Sequence, residues 1–146
     1  MTFEEIRVSA DRCFGCGQGN EVGLKLKFQE IEKGVVQTKI VLSAAYQGYN
    51  RVVHGGIVCT LLDEAMAYAA LYSSDPGHVA TAWMEVRFLK PVPVGKELTL
   101  VGRITQKKRN ILETEAEIRS PSEEVLASSV GKYFWEKVAE RNTVSP

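Results

Sequence analysis

NRVVHGGIVCTLLDEAMAYAA (Asn50–Ala70) decides how this chain folds, and it holds a contradiction. Its Ala and Leu content is high and nothing after Gly56 breaks a helix, so a helix is expected from about Gly56 to Tyr72. Pro76 and Gly77 end it. The helix is apolar nearly all round, which is the pattern of a buried element. Yet Asp63 and Glu64 sit in its middle, and His54-Gly55-Gly56 stands at its entrance.

Residues three and four apart share a helix face. Asp63 therefore lies with Cys59, Thr60, Met66 and Ala67. Glu64 is about 100° further round, with Thr60, Leu61 and Tyr68. A buried, unpaired carboxylate is costly and commonly answers with a raised pKa. Such a group suits general-base or nucleophilic work near neutral pH. At the entrance, Gly55 and Gly56 expose backbone N–H groups at the positive end of the helix dipole, where an anion or a developing oxyanion is stabilised. A plainer reading makes His54 the cap of a sharp turn and leaves both acids solvated.

Distance separates two models of a catalytic site. Gly56 and Asp63 lie roughly 10 Å apart along one helix. Reacting groups must come within about 3–3.5 Å of the substrate atoms they act on. Two helices side by side across a two-fold axis meet that condition, with the entrance of one beside the middle of the other. The site is then shared between subunits.

The surrounding sequence is mostly β. Residues 1–21, rich in Gly and polar residues, read as an N-terminal arm, 22–136 as one domain and 137–146 as a C-terminal tail. Leu24, Leu26 and Phe28 alternate with Lys25 and Lys27, which predicts a half-buried strand. A turn at Lys33-Gly34 joins it to a second strand at Val35–Leu42. After the helix come strands at His78–Lys90, Lys96–Gln106, Asn110–Ser120 and Glu124–Trp135. On the first of these, Met84, Val86 and Phe88 share a face, and short polar turns join the last three as an antiparallel meander. One helix against one antiparallel sheet is an α+β layer architecture. Such a layer leaves part of an all-apolar helix bare, and a second copy of the chain is the simplest cover.

The 146 residues carry 18 basic and 18 acidic side chains, a formal net charge of zero. No general field gathers nucleic acid or an anionic membrane, so a phosphate-bearing ligand needs a local basic patch. No apolar run spans a bilayer, and the N-terminus has no apolar signal core. Three cysteines, an odd count, suit a reducing cytoplasm.

In order and spacing, HGGIVCTLLDEAMAYAA (His54–Ala70) resembles the signature of hotdog-fold acyl-CoA thioesterases of the phenylacetate-pathway type. TAWMEVRFLKPVPVGKEL (Thr81–Leu98) resembles that family's next strand, and the likeness runs from Val22 to Trp135. The resemblance implies a hotdog fold, one long central helix wrapped by a mainly antiparallel sheet. It implies a homodimer or a homotetramer with sites between subunits, and an acyl-CoA substrate hydrolysed to a carboxylic acid and free CoA without a cofactor. Carried over, Asp63 is the general base or nucleophile, and Gly55 or Gly56 donates an N–H to the thioester oxygen. His54 holds the turn or also assists polarisation, and Thr81 stands near the attacking water. Several relatives carry an Asn six residues before the His; here Gly48 takes that place, with Gln47 or Asn50 as substitutes. Glu64 has a weaker claim, to a substrate contact or a structural hydrogen bond. Tyr46, Tyr49, Met66, Tyr68 and Trp83 are candidates for the acyl pocket or for the core. Arg87, Lys90 and the turn Lys107-Lys108-Arg109 are the cations for CoA phosphates.

Cys13 and Cys16 have Cys-x-x-Cys spacing, but the sequence shows no second pair to complete a structural zinc site, so free thiols and no metal are expected. Two rival functions are an enoyl-CoA hydratase or dehydratase of the same fold and an acyl-CoA-binding sensor. The local context of His54 and Asp63 fits the first less well, and a sensor has no use for Asp63.

Overall fold

The computed structural model describes residues 10–137. Most of the expected tail and the start of the expected arm lie outside the described residues. The elements are β1 (Gln29–Glu32), β2 (Val35–Val41), α1 (Gly55–Tyr72), β3 (Gly77–Phe88), β4 (Glu97–Lys108), β5 (Ile111–Arg119) and β6 (Val125–Lys137). The six strands form one antiparallel sheet in the order β1-β2-β4-β5-β6-β3. The expected meander is β4-β5-β6, while β3 crosses over to pair with β6.

One face of the sheet is apolar and carries α1. At its centre the register aligns Val36, Gly102, Ala116, Ser129 and Val86 in one row. Small side chains in that row let the helix sink into the sheet. A Cβ on Gly102 would collide with the carbonyl oxygen of Ala65 on α1, so the close approach requires glycine there. Leu98, Leu100, Leu112, Ile118 and Tyr133 ring this contact and close over Leu61, Leu62, Ala65, Met66 and Ala69. Fully burying a leucine contributes about 1.5–3 kcal/mol, so this packing, and not helix propensity, holds α1. The helix ends where Ser73 donates through its N–H and its hydroxyl to the Ala69 carbonyl.

Two expectations are corrected. Leu24, Leu26 and Phe28 are buried and Lys25 and Lys27 exposed, yet this segment is not a strand of the sheet. The N–H groups of Leu24 and Leu26 donate instead to the carbonyls of Phe14 and Gly15, at 2.8 and 3.0 Å. The strand proper starts at Gln29, and all four of its residues are exposed. Alternation fixes which side chains are buried, not which backbone they pair with. Consequently the chain covers more of its own helix than expected. Phe28 stacks on Tyr68 at 4.9 Å, and the arm lies over the Glu64 side of α1.

What stays half-open is the face with Cys59, Thr60, Asp63 and Ala67, beside β3. β3 is the long edge strand, and among the described residues its outer side has no partner. The β3–β6 register slips between Thr81 and Trp83. This bulge puts Thr81, Met84 and Val86 on the helix side, which a strict two-residue period cannot do.

Candidate active site

The entrance to α1 is built by its cap. The His54 carbonyl accepts from the N–H groups of Ile57 and Val58, at 2.9 and 3.0 Å. His54 Nδ1 accepts from the Gly56 N–H at 2.9 Å. An accepting Nδ1 places the proton of the neutral ring on Nε2. The His54 N–H itself donates to the Tyr46 carbonyl at 2.9 Å, which fixes the loop. Gly56 is therefore engaged. Gly55, the first helical residue, keeps an N–H with no acceptor among the described residues. Of the two glycines the sequence offered, Gly55 is the available donor.

Gly48, standing where the resemblance expects an Asn, is packed against the cap; a Cβ there would meet His54 Cα at 3.3 Å. Gln47 accepts from the Arg51 N–H at 3.2 Å and serves its own turn, and Asn50 is exposed.

In mid-helix, Asp63 is half-buried but not unpaired. Its Oδ1 accepts from the hydroxyls of Thr81 at 2.8 Å and Tyr133 at 2.7 Å. Tyr133 also reaches the Asp63 carbonyl at 3.1 Å. Thr81 and Tyr133 face each other in the β3–β6 register, so the sheet presents both hydroxyls to one oxygen. Oδ2 remains for other work. Burial, and then the hydrogen bond and charge of Asp63, push the Tyr133 phenol far above its ordinary range, so it stays a donor. Burial and the Asp63 charge also raise the Cys59 thiol. Sequence reading missed Tyr133, which is 1% exposed and passes for a core aromatic.

Glu64 points elsewhere. Its carboxyl meets the Cys13 thiol at 3.7 Å, with Cys16 also in hydrogen-bonding range. Burial raises its pKa, and the neighbouring Asp63 adds to that, while the two thiols pull it down. The adjacent acids thus occupy separate environments, one held by hydroxyls and one by thiols.

The fold disperses the expected substrate contacts. Trp83 and Arg87 alternate with Met84 and Val86 and project from the sheet face away from α1, where Arg87 pairs with Glu85 at 3.6 Å. Lys90 is ion-paired with Glu124, near the helix entrance. Lys108 and Arg109 lie on the β4–β5 hairpin tip by the other end of α1, where Lys107 stands 5.3 Å from the Trp135 ring and Trp135 bonds the Asp75 carbonyl. Tyr46 is tied to the Val22 carbonyl, Met66 is fully buried and Tyr49 is 88% exposed.

One long helix against a six-stranded antiparallel sheet is the hotdog fold, and the held carboxylate is its candidate site. Residues 50–127, more than half of the chain, match the model of the thioesterase superfamily, and the chain belongs to that family. It is 26% identical over 132 residues to a "putative esterase" of Saccharolobus solfataricus, covering 90% of this chain and 89% of that one. A solved thioesterase superfamily protein, RHA08564, superposes with a TM-score of 0.74 at 27% identity over 80% of this chain, which spans 60% of that one. The PaaI protein of the Escherichia coli phenylacetic acid degradation operon gives 0.73 at 18% identity, over 92% of each chain. The protein smu.793 of Streptococcus mutans, solved bound to acetyl CoA, gives 0.71 at 19% identity, over 83% of this chain and 98% of that one. Among the described residues no helix is long and apolar enough to cross a membrane.

Proposed function

We propose that this chain hydrolyses an acyl-CoA thioester to a carboxylic acid and free CoA, at a site shared by two copies. The observation that carries the reading is the Asp63 carboxylate. Two hydroxyls hold one oxygen, the other has no partner among the described residues, and the half-open side of α1 gives access to it. A thioesterase-type hydrolysis is what superfamily membership supports. Structural neighbours solved with acetyl CoA and with coenzyme A support the choice of thiol.

The thioester oxygen accepts from the Gly55 N–H of one copy. Asp63 Oδ2 of the other takes a proton from water, whose oxygen attacks the carbonyl carbon. The oxyanion that develops is stabilised by the Gly55 N–H and the helix dipole. Collapse breaks the carbon–sulfur bond, and the CoA thiolate leaves and is protonated. In the nucleophilic variant, Asp63 attacks the carbon itself and water then cleaves the acyl-aspartyl anhydride. Thr81 and Tyr133 fix the rotamer of Asp63 in both routes. Gly55 and Asp63 of one copy are about 12 Å apart along α1, so the partner copy is required. The free edge of β3, beside Asp63 and ending at the exposed Phe88 by Gly55, is where we place the partner. Lys90, at the entrance, is the cation we assign to CoA phosphate.

Release of free thiol from a panel of short, medium, long and aromatic acyl-CoAs tests the reaction. Mixed dimers of Asp63→Ala chains with Gly55→Pro chains test the sharing. They are expected to regain activity that neither parent has, and mixed dimers as inactive as the parents would rule sharing out.

A further inference from the structure

The Cys-x-x-Cys loop of the N-terminal arm meets a third donor. The Sγ atoms of Cys13 and Cys16 and a carboxylate oxygen of Glu64 all lie within 4.8 Å of one another. The Cys13–Glu64 pair stands at 3.7 Å. Tetrahedral zinc, with bonds of about 2.3 Å to sulfur and 2.0 Å to oxygen, holds its ligand atoms about 3.5–3.8 Å apart. The three donors are thus already close to one face of such a tetrahedron. From these positions we infer that Cys13, Cys16 and Glu64 bind a divalent cation of the zinc class, which clamps the arm to α1.

Three observations bear on this. First, the loop is shaped for it: the Gly17 N–H donates to the Cys13 carbonyl at 2.9 Å, closing a turn that holds both cysteines, whose Sγ atoms lie within 4.8 Å of each other. Second, the absence of a side chain at Gly15 leaves room for the Glu64 carboxyl, which a Cβ there would displace, so the loop admits Glu64 between its cysteines. Third, the cluster gathers acids without a base. Among the described residues Glu64 makes no ion pair, and Tyr68 and Asp63 are its other titratable neighbours. Two thiolates select a soft ion, zinc over magnesium or calcium. Three protein ligands leave a fourth position for solvent.

The site lies on the side of α1 covered by the arm, apart from the hydroxyls that hold Asp63. Its role is therefore to fix the arm, and it does not depend on the hydrolysis proposed above.

The test uses the full chain, reduced, stripped with a chelator and titrated with Zn²⁺ and Co²⁺. The expected result is one equivalent bound with release of protons, and thiolate-to-cobalt charge-transfer absorption. Cys13→Ser and Cys16→Ser should weaken zinc binding by more than the roughly 10–100-fold that loss of an outer partner costs. Gly15→Ala displaces Glu64 by a side-chain shift alone and should weaken it in the same way while the circular dichroism stays native. The proposal is overturned if the stripped wild-type protein, folded and reduced, binds less than one equivalent. It is also overturned if cobalt binds without the thiolate band, or if the native protein carries a Cys13–Cys16 disulfide.

Discussion

Gly55→Pro isolates the proposed oxyanion donor from everything else the helix entrance does. Proline has no N–H, and Gly55 is the first helical residue, where that N–H makes no helix bond. The preceding residue must be extended, and His54 already is, at φ −58° and ψ 137°. A Cβ at position 55 meets the Phe88 ring at 3.6 Å, an ordinary contact. The fold should therefore tolerate the change. A Gly-to-Pro change at a compatible site stabilises by about 0.4–1 kcal/mol through the unfolded chain, so Tm should hold or rise by a few degrees. Catalysis should not survive as well, since losing one oxyanion donor costs about 2.7–4 kcal/mol, or 10²–10³ in kcat. Gly55→Ala keeps the N–H and adds only the Cβ, so it should stay within a few-fold of wild type. The assay is free-thiol release from the best acyl-CoA, beside a melting curve for each variant. A Gly55→Pro protein with wild-type kcat would falsify the assignment. Equal losses in both variants would show that space, not the donor, matters.

Other expectations follow from the same geometry. Asp63→Asn retains an oxygen for Thr81 and Tyr133, so Tm should barely move while kcat falls by roughly 10²–10⁴, read as thiol release. Tyr133→Phe removes a buried donor to a charged group; stability should drop by about 1.5–3 kcal/mol in urea unfolding, and kcat by up to about 100-fold as Asp63 loses its position. Gly102→Ala should cost about 1–3 kcal/mol or more, because backbone and not a flexible side chain blocks the Cβ. In metal-stripped protein, the raised Glu64 binds more protons folded than unfolded. Stability should then fall, relative to Glu64→Gln, as pH rises from the ordinary value of 4.5 through the raised one, and level off above it. Cys13, Cys16, Tyr68 and Asp63 are the titratable groups facing it. Parallel pH dependence in the two proteins would contradict that burial.

Much of the layout is legible from periodicity alone. The helix is marked by its composition and its Pro-Gly stop, and β2 to β6 by alternation and polar turns. The hydrophobic pattern says less about partners. Leu24, Leu26 and Phe28 announce a buried face, but the carbonyls that the Leu24 and Leu26 N–H groups meet belong to Phe14 and Gly15, in a stretch with no period. Thr81 came from the resemblance; counted from Met84 and Val86, it would face away from Asp63, and only the bulge at Ala82 returns it. Tyr133 escaped because its role depends on the β3–β6 register, which sequence does not display. Its one available signal is its place in the last strand, two residues before Trp135, on the helix-facing phase. Glu64 and the cysteines are separated by about fifty residues, and folding the arm back is what unites them. Long-range pairings of this kind are set by packing, which composition and spacing do not encode.

The unpaired edge of β3 has a consequence for how the molecule behaves in bulk. Among the described residues no strand pairs with its outer side, and a long edge strand of this kind invites another strand. On the proposed reading, which divides the catalytic parts across that edge, turnover per chain becomes a function of how many chains are present. Dilution would silence the protein without unfolding it, and abundance would set its specific activity as well as its total.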